Sequence, residues 1–100
     1  MLNYSNPIIF NSDTPFENDE AMKVEINLYA TLARYLPASV KATGGKLDVE
    51  KGMTVEMLMH HLDIPADLVK LIFVDGIHAD RNTVLKEGNR LGLFPPVGGG

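Results

Sequence analysis

Thr54-Val55-Glu56-Met57-Leu58-Met59-His60-His61-Leu62 is the stretch whose reading decides the fold. Val55, Leu58, Met59 and Leu62 recur at i, i+3, i+4 and i+7, so one face of a helix is apolar. Thr54 suits the N-cap, and Glu56 places a negative charge in the first turn, at the positive end of the helix. Asp63-Ile64-Pro65 ends it, and residues 66–70 have room for one extra turn. A single apolar stripe needs a surface to cover it, and the segments on either side read as short strands.

Upstream, residues 23–30 alternate, with Val24, Ile26 and Leu28 facing one way and Lys23, Glu25 and Asn27 the other. Residues 31–36 suit a helical turn stopped by Pro37, and the small, polar, glycine-ended residues 38–45 read as a loop. Residues 46–50 form a second strand with Leu47 and Val49 inward, and Lys51-Gly52 turns. The two strands make a hairpin whose long connection leaves the register open. Downstream, residues 71–74 and 77–79 flank Asp75-Gly76, a strong hairpin signal. Residues 80–87 form a polar connection with Val84 and Leu85 as anchors. Residues 86–89 turn, and 90–94 form the last strand. The order β-β-α-β-β-β predicts an α+β, β-grasp body: a mixed sheet with one main helix across one face.

The last strand runs into Phe94-Pro95-Pro96-Val97-Gly98-Gly99-Gly100. Two prolines fix φ near −65° and donate no N–H, so no sheet strand continues through them. Three glycines follow. A stiff launch and a thin, bendable tip suit threading a narrow channel and presenting a carboxylate to another protein's active site. A frayed glycine end, or a cloning scar, is the plainer alternative.

One hundred residues fit one domain, and 45% hydrophobic with 22% charged residues is an ordinary globular mixture. With no cysteine, disulfides, thiolate metal sites and a cysteine nucleophile are excluded from this chain. Residues 1–21 hold Asp13, Glu17, Asp19 and Glu20 and no Lys or Arg, so the net charge of −4 lies there and the remainder is neutral. A neutral body gives no footprint for nucleic acid. No apolar run is long enough to span a membrane, and the start lacks secretory-signal character. The cytoplasm is the default location. The domain division is therefore an acidic, disordered leader over 1–21, a β-grasp domain over 22–97 and a flexible glycine tail over 98–100. Pro7-Ile8-Ile9-Phe10 is the leader's apolar exception, suited to a sheet edge or a partner. Met22 opens a domain-like start, so the leader reads as an extension or an upstream start.

Internal chemistry is sparse. His60 and His61 are adjacent, hence about 100° apart on a helix, and His78 sits on another element, so surface histidines are expected and no metal site. Asp63 with Asp67 reads as a loop and a helix start. Ser39 and Thr43 have no evident base. Gly44-Gly45 lacks the Lys-Ser/Thr and helix of a phosphate loop. Met53, Met57 and Met59 read as packing. The chain alone is not expected to be a self-sufficient enzyme.

Residues 22–100 resemble the MoaD/ThiS family of ubiquitin-like β-grasp sulfur carriers, specifically its MoaD-like branch. The matching segments are KVEINLYATLARYLP, KGMTVEMLMHHL, LIFVDGIHA and LKEGNRLGLFPPVGGG. The close is the specific part: family members end with an apolar strand, Phe-Pro-Pro-Val, a small residue and Gly-Gly. Gly98 takes the small-residue place, and Gly99-Gly100 match the diglycine. Gly88-Asn89 stands where the family often has Gly-Asp, and the leader and the 38–45 loop are longer than the family pattern.

The resemblance implies a mechanism. An E1-like, MoeB/ThiF-like adenylating enzyme would use ATP to convert the Gly100 carboxylate into an acyl adenylate. A sulfur donor protein would displace AMP and leave a thiocarboxylate. The sulfur would then pass to a pterin precursor on a MoaE-like large subunit of molybdopterin synthase, for molybdenum or tungsten cofactor synthesis. Gly100 would be the reacting residue, Gly98 and Gly99 would thread the channel, and Phe94, Pro95, Pro96 and Val97 would bind the partner. No cofactor would be bound by this chain. Thiamine or another sulfur-containing product, a ubiquitin-like modifier joined through Gly100, and a binding module with an inert tail are the alternatives.

Overall fold

A computed structural model of the chain describes residues 21–96. The expected leader, but for Ala21, and the tail residues Val97, Gly98, Gly99 and Gly100 lie outside the described residues. Ala21 itself belongs to the first strand, β1 (Ala21–Leu28), where it pairs with Glu50. The chain continues through a 3-10 turn (Ala30–Tyr35), α1 (Ala38–Ala42), β2 (Lys46–Glu50), α2 (Val55–His61), a short 3-10 turn (Ala66–Leu68), β3 (Leu71–Val74), β4 (Ile77–Ala79) and β5 (Arg90–Phe94).

The strands form one sheet in the order β2-β1-β5-β3-β4. The first and last strands are parallel neighbours at its centre, with Ile26 opposite Leu91 and Leu28 opposite Leu93. The other pairings are antiparallel. Val24, Ile26, Leu91 and Leu93 on one sheet face share a buried core with Val55, Leu58, Met59 and Leu62. The stripe expected of α2 is thus the face that closes the core. This is the β-grasp arrangement of a mixed sheet and one main helix.

The start of α2 is satisfied from two sides. Thr54 Oγ1 accepts from the Met57 N–H at 3.2 Å. The Val55 and Glu56 N–H groups donate to the Thr83 and Arg81 carbonyls at 3.0 and 2.9 Å. The connection after β4 therefore supplies acceptors that a free helix end lacks. Within that connection only one of the two expected anchors is buried. Leu85 is 1% exposed, whereas Val84 is 48% exposed and contributes a backbone bridge to Thr54. Adjacent residues in extended backbone point to opposite sides, so both could not reach the core.

Residues 38–42, expected as loop, form α1. The Pro37 carbonyl accepts from the Val40 and Lys41 N–H groups at 3.0 and 2.9 Å, and Val40 is buried. Five residues are too few for a helical period to declare itself, and one buried valine holds the turn. The Asp75-Gly76 hairpin forms as expected. Both residues have positive φ (55° and 82°), the geometry of a two-residue primed turn, between Val74 and Ile77.

Candidate functional site

β5 ends at Phe94, where the chain leaves the sheet. The Phe94 carbonyl accepts from the Lys70 N–H at 2.7 Å, and the Leu93 carbonyl accepts from the Tyr29 N–H at 3.1 Å. Phe94 pairs with Leu71 across the β3 ladder. Pro95 is half-buried and Pro96 exposed.

Alternation sends Leu91 and Leu93 into the core, and Arg90, Gly92 and Phe94 to the opposite sheet face. On that face the Phe94 ring stacks on Tyr29, with centroids 4.3 Å apart and planes 7° from parallel. Phe73 meets Phe94 edge-on at 5.7 Å, and His78 meets Phe73 edge-on at 5.6 Å. Leu71, exposed at 39%, adjoins Phe94 on β3. Gly92 lies beneath the rings. A methyl group there would sit 3.5 Å from Tyr29 Cε2 and 3.7 Å from Phe94 Cε1. Glu25, Asn27 and Arg90 complete the walls of a concavity of about 600 Å³ around these rings. An apolar centre with a polar rim is the pattern of a protein-docking surface.

Of the residues expected to bind a partner, Phe94, Pro95 and Pro96 come together at this exit, while Val97, Gly98, Gly99 and Gly100 lie outside the described residues. Tyr29 and Phe73 were not singled out by sequence. Phe73 alternates with the buried Ile72, which marks it as outward-facing, but nothing local says that β3 adjoins β5. Tyr29 stands one residue past its strand, and its role depends on the parallel β1–β5 contact.

Elsewhere, His60 and His61 lie edge-to-face at 6.4 Å on α2. Partial burial holds His61 below the ordinary imidazole value, the neighbouring His60 adds to the effect, and Asp63 opposes it. Among the described residues no three His, Cys, Asp or Glu side chains gather into a metal-holding group. No helix among them is long and apolar enough to cross a membrane.

A model of the ThiS family matches residues 34–100. Among curated proteins none matches the sequence significantly. Solved structures are similar in fold. The crystal structure of the protein SAMP1 from Haloferax volcanii is 21% identical, with a TM-score of 0.53 over 78% of this chain and 99% of its own. A second Haloferax volcanii protein, solved in solution, is 17% identical, with a TM-score of 0.59 over 90% of this chain and 100% of its own. The small archaeal modifier protein 1 of Methanosarcina acetivorans is 20% identical, with a TM-score of 0.52 over 82% and 100%.

Proposed function

The chain belongs to the ThiS family, and from that premise we propose that it is a sulfur carrier reacting through the carboxylate of Gly100. One observation carries the reading. The last strand is held at the centre of the sheet and leaves it at Phe94, within a cluster of rings of which Tyr29 is exposed and Phe73 and Phe94 are half-buried, with two prolines directly after. A partner that docks on the rings therefore receives the tail at a fixed place.

The chemistry explains why a partner is required. A carboxylate oxygen is a poor leaving group. Attack by the Gly100 carboxylate on the α-phosphorus of ATP, in an E1-like enzyme, releases pyrophosphate and makes an acyl adenylate. The outer sulfur of a persulfide then displaces AMP to form an acyl disulfide, and a thiol that attacks the donor's sulfur breaks the S–S bond, forming a new disulfide and releasing the thiocarboxylate. Glycine at 98–100 gives the tail no side chain to obstruct a channel. Phe94, Pro95, Pro96 and Val97 supply apolar anchorage, with Glu25, Asn27 and Arg90 as a polar rim. Delivery to a pterin precursor, with the chain as small subunit beside a MoaE-like large subunit of molybdopterin synthase, is the acceptor favoured by the Phe-Pro-Pro-Val-Gly-Gly-Gly close. A cytoplasmic setting suits that chemistry.

The test is intact mass after incubation with an E1-like enzyme, ATP and a sulfur source. Replacement of one oxygen by sulfur at the C-terminus is expected. An unchanged mass overturns the reading, and an isopeptide from Gly100 to a lysine would favour a protein modifier instead.

A further inference from the structure

We propose, resting on the carrier reading, that Tyr29 is a positioning residue: by stacking on Phe94 it fixes the heading on which the chain leaves the sheet. Tyr29 is 44% exposed, yet one face of its ring is committed to Phe94 in a nearly parallel stack at 4.3 Å. Its backbone is tied to the same strand, since its N–H donates to the Leu93 carbonyl at 3.1 Å. Ring and backbone thus grip consecutive residues of β5.

Phe94 is held from other sides as well. Phe73 abuts it edge-on at 5.7 Å, and the Lys70 N–H binds its carbonyl at 2.7 Å. From Phe94 to Pro96 the chain has little freedom to absorb an error. Phe94 and Pro95 each precede a proline, which restricts both to extended backbone, and both prolines have a fixed φ. A rotation at Phe94 is therefore passed on to Pro96 as through a lever. Gly92 lies under the two rings, where a methyl group would stand in ordinary van der Waals contact with both and only a larger side chain would displace them. A carboxylate presented to a phosphorus for in-line attack tolerates little misplacement. Stacking that aims the tail consequently acts on the chemical step, whereas an aromatic that only adhered to the partner would act on affinity.

The experiment compares the full chain with Tyr29→Ala, Tyr29→Phe and Gly92→Leu, the last displacing the rings while keeping Tyr29. The first readout needs no partner: residual dipolar couplings of the Cα–Hα bonds of Pro95 and Pro96. Tyr29→Ala and Gly92→Leu should change them while those of Val24, Ile26 and Leu47 stay as in the parent, and Tyr29→Phe should match the parent. The second is pyrophosphate release with an E1-like enzyme and ATP. At saturating carrier, kcat should fall about tenfold or more in Tyr29→Ala and be restored in Tyr29→Phe. Unchanged couplings, or a loss confined to KM, would overturn the proposal and leave Tyr29 as docking surface alone. If the parent chain releases no pyrophosphate, the carrier reading falls, and the couplings still decide whether Tyr29 sets the exit.

Discussion

Asn89 donates from Nδ2 to Asp75 Oδ2 at 2.8 Å, and its own side-chain oxygen accepts from the Lys86 N–H at 2.7 Å. Asp75 Oδ1 in turn accepts from the Arg90 N–H at 2.8 Å. One amide thus ties the β3–β4 turn to the start of β5, which accounts for asparagine where the family often has aspartate. An aspartate here would face a second carboxylate and could not donate. Asn89→Asp should lower the denaturation midpoint at neutral pH by an amount equivalent to about 1 kcal/mol, the usual net worth of a hydrogen bond. An unchanged midpoint would refute this account. Phe94 makes the opposite case, because its ring lies outside the core. Phe94→Ala should weaken partner binding by about 2 kcal/mol or more and folding by less. Chemical denaturation set against partner titration separates the two, and equal losses would make Phe94 a core residue.

At the scale of elements, the turn between α1 and β2 depends on Gly45. Its φ is +89°, and a methyl group there would lie 2.6 Å from the Ile26 carbonyl oxygen. Gly45 must come this close because its own carbonyl accepts from the Ile26 N–H at 2.8 Å, extending the β1–β2 ladder. Gly45→Ala should cost roughly 1–3 kcal/mol from backbone strain alone, measured as a loss in unfolding free energy. Gly44→Ala, with a similar φ but open space around it, should cost less. Equal costs at the two positions would show that φ and not contact decides. This turn also marks where sequence reading reached its limit. Val24, Ile26 and Leu28, the α2 stripe and the Asp75-Gly76 turn announce themselves through period 2, period 3.6 and turn chemistry, which are local signals. α1 rests on one buried valine, and Val84 differs from Leu85 only by which side of an extended segment it occupies. Neither difference is written in composition.

For the whole molecule, the exit at Phe94 was legible because prolines and glycines constrain the chain wherever they stand. The ring cluster was not, since Tyr29, Phe73 and Phe94 meet only through the order β1-β5-β3, and strand neighbours distant in sequence leave no local trace. The role proposed for the tail gives the prediction at this scale. Deleting Gly100 should abolish thiocarboxylate formation and leave the melting temperature unchanged. The reacting carbon would retreat by one residue, about 3.3–3.6 Å along an extended chain, far beyond what oriented attack tolerates. Intact mass and a melting curve check both halves, and normal thiocarboxylate formation without Gly100 would end the carrier reading.

The parallel contact of β1 with β5 also determines how the molecule bears load. Force applied at Ala21 and at Pro96 pulls the two central strands along their length in opposite directions. Every hydrogen bond between them then shares the strain at once, and β5 is gripped by β3 on its other side. Force applied at Ala21 and Glu50, which face each other at one end of the β1–β2 ladder, opens that ladder one pair at a time. Single-molecule stretching should therefore need a higher force between positions 21 and 96 than between 21 and 50, and the reverse order would contradict the strand arrangement. A machine that tugs on the tail against a hold at Ala21 thus loads the β1–β5 ladder in shear, the more resistant of these two directions.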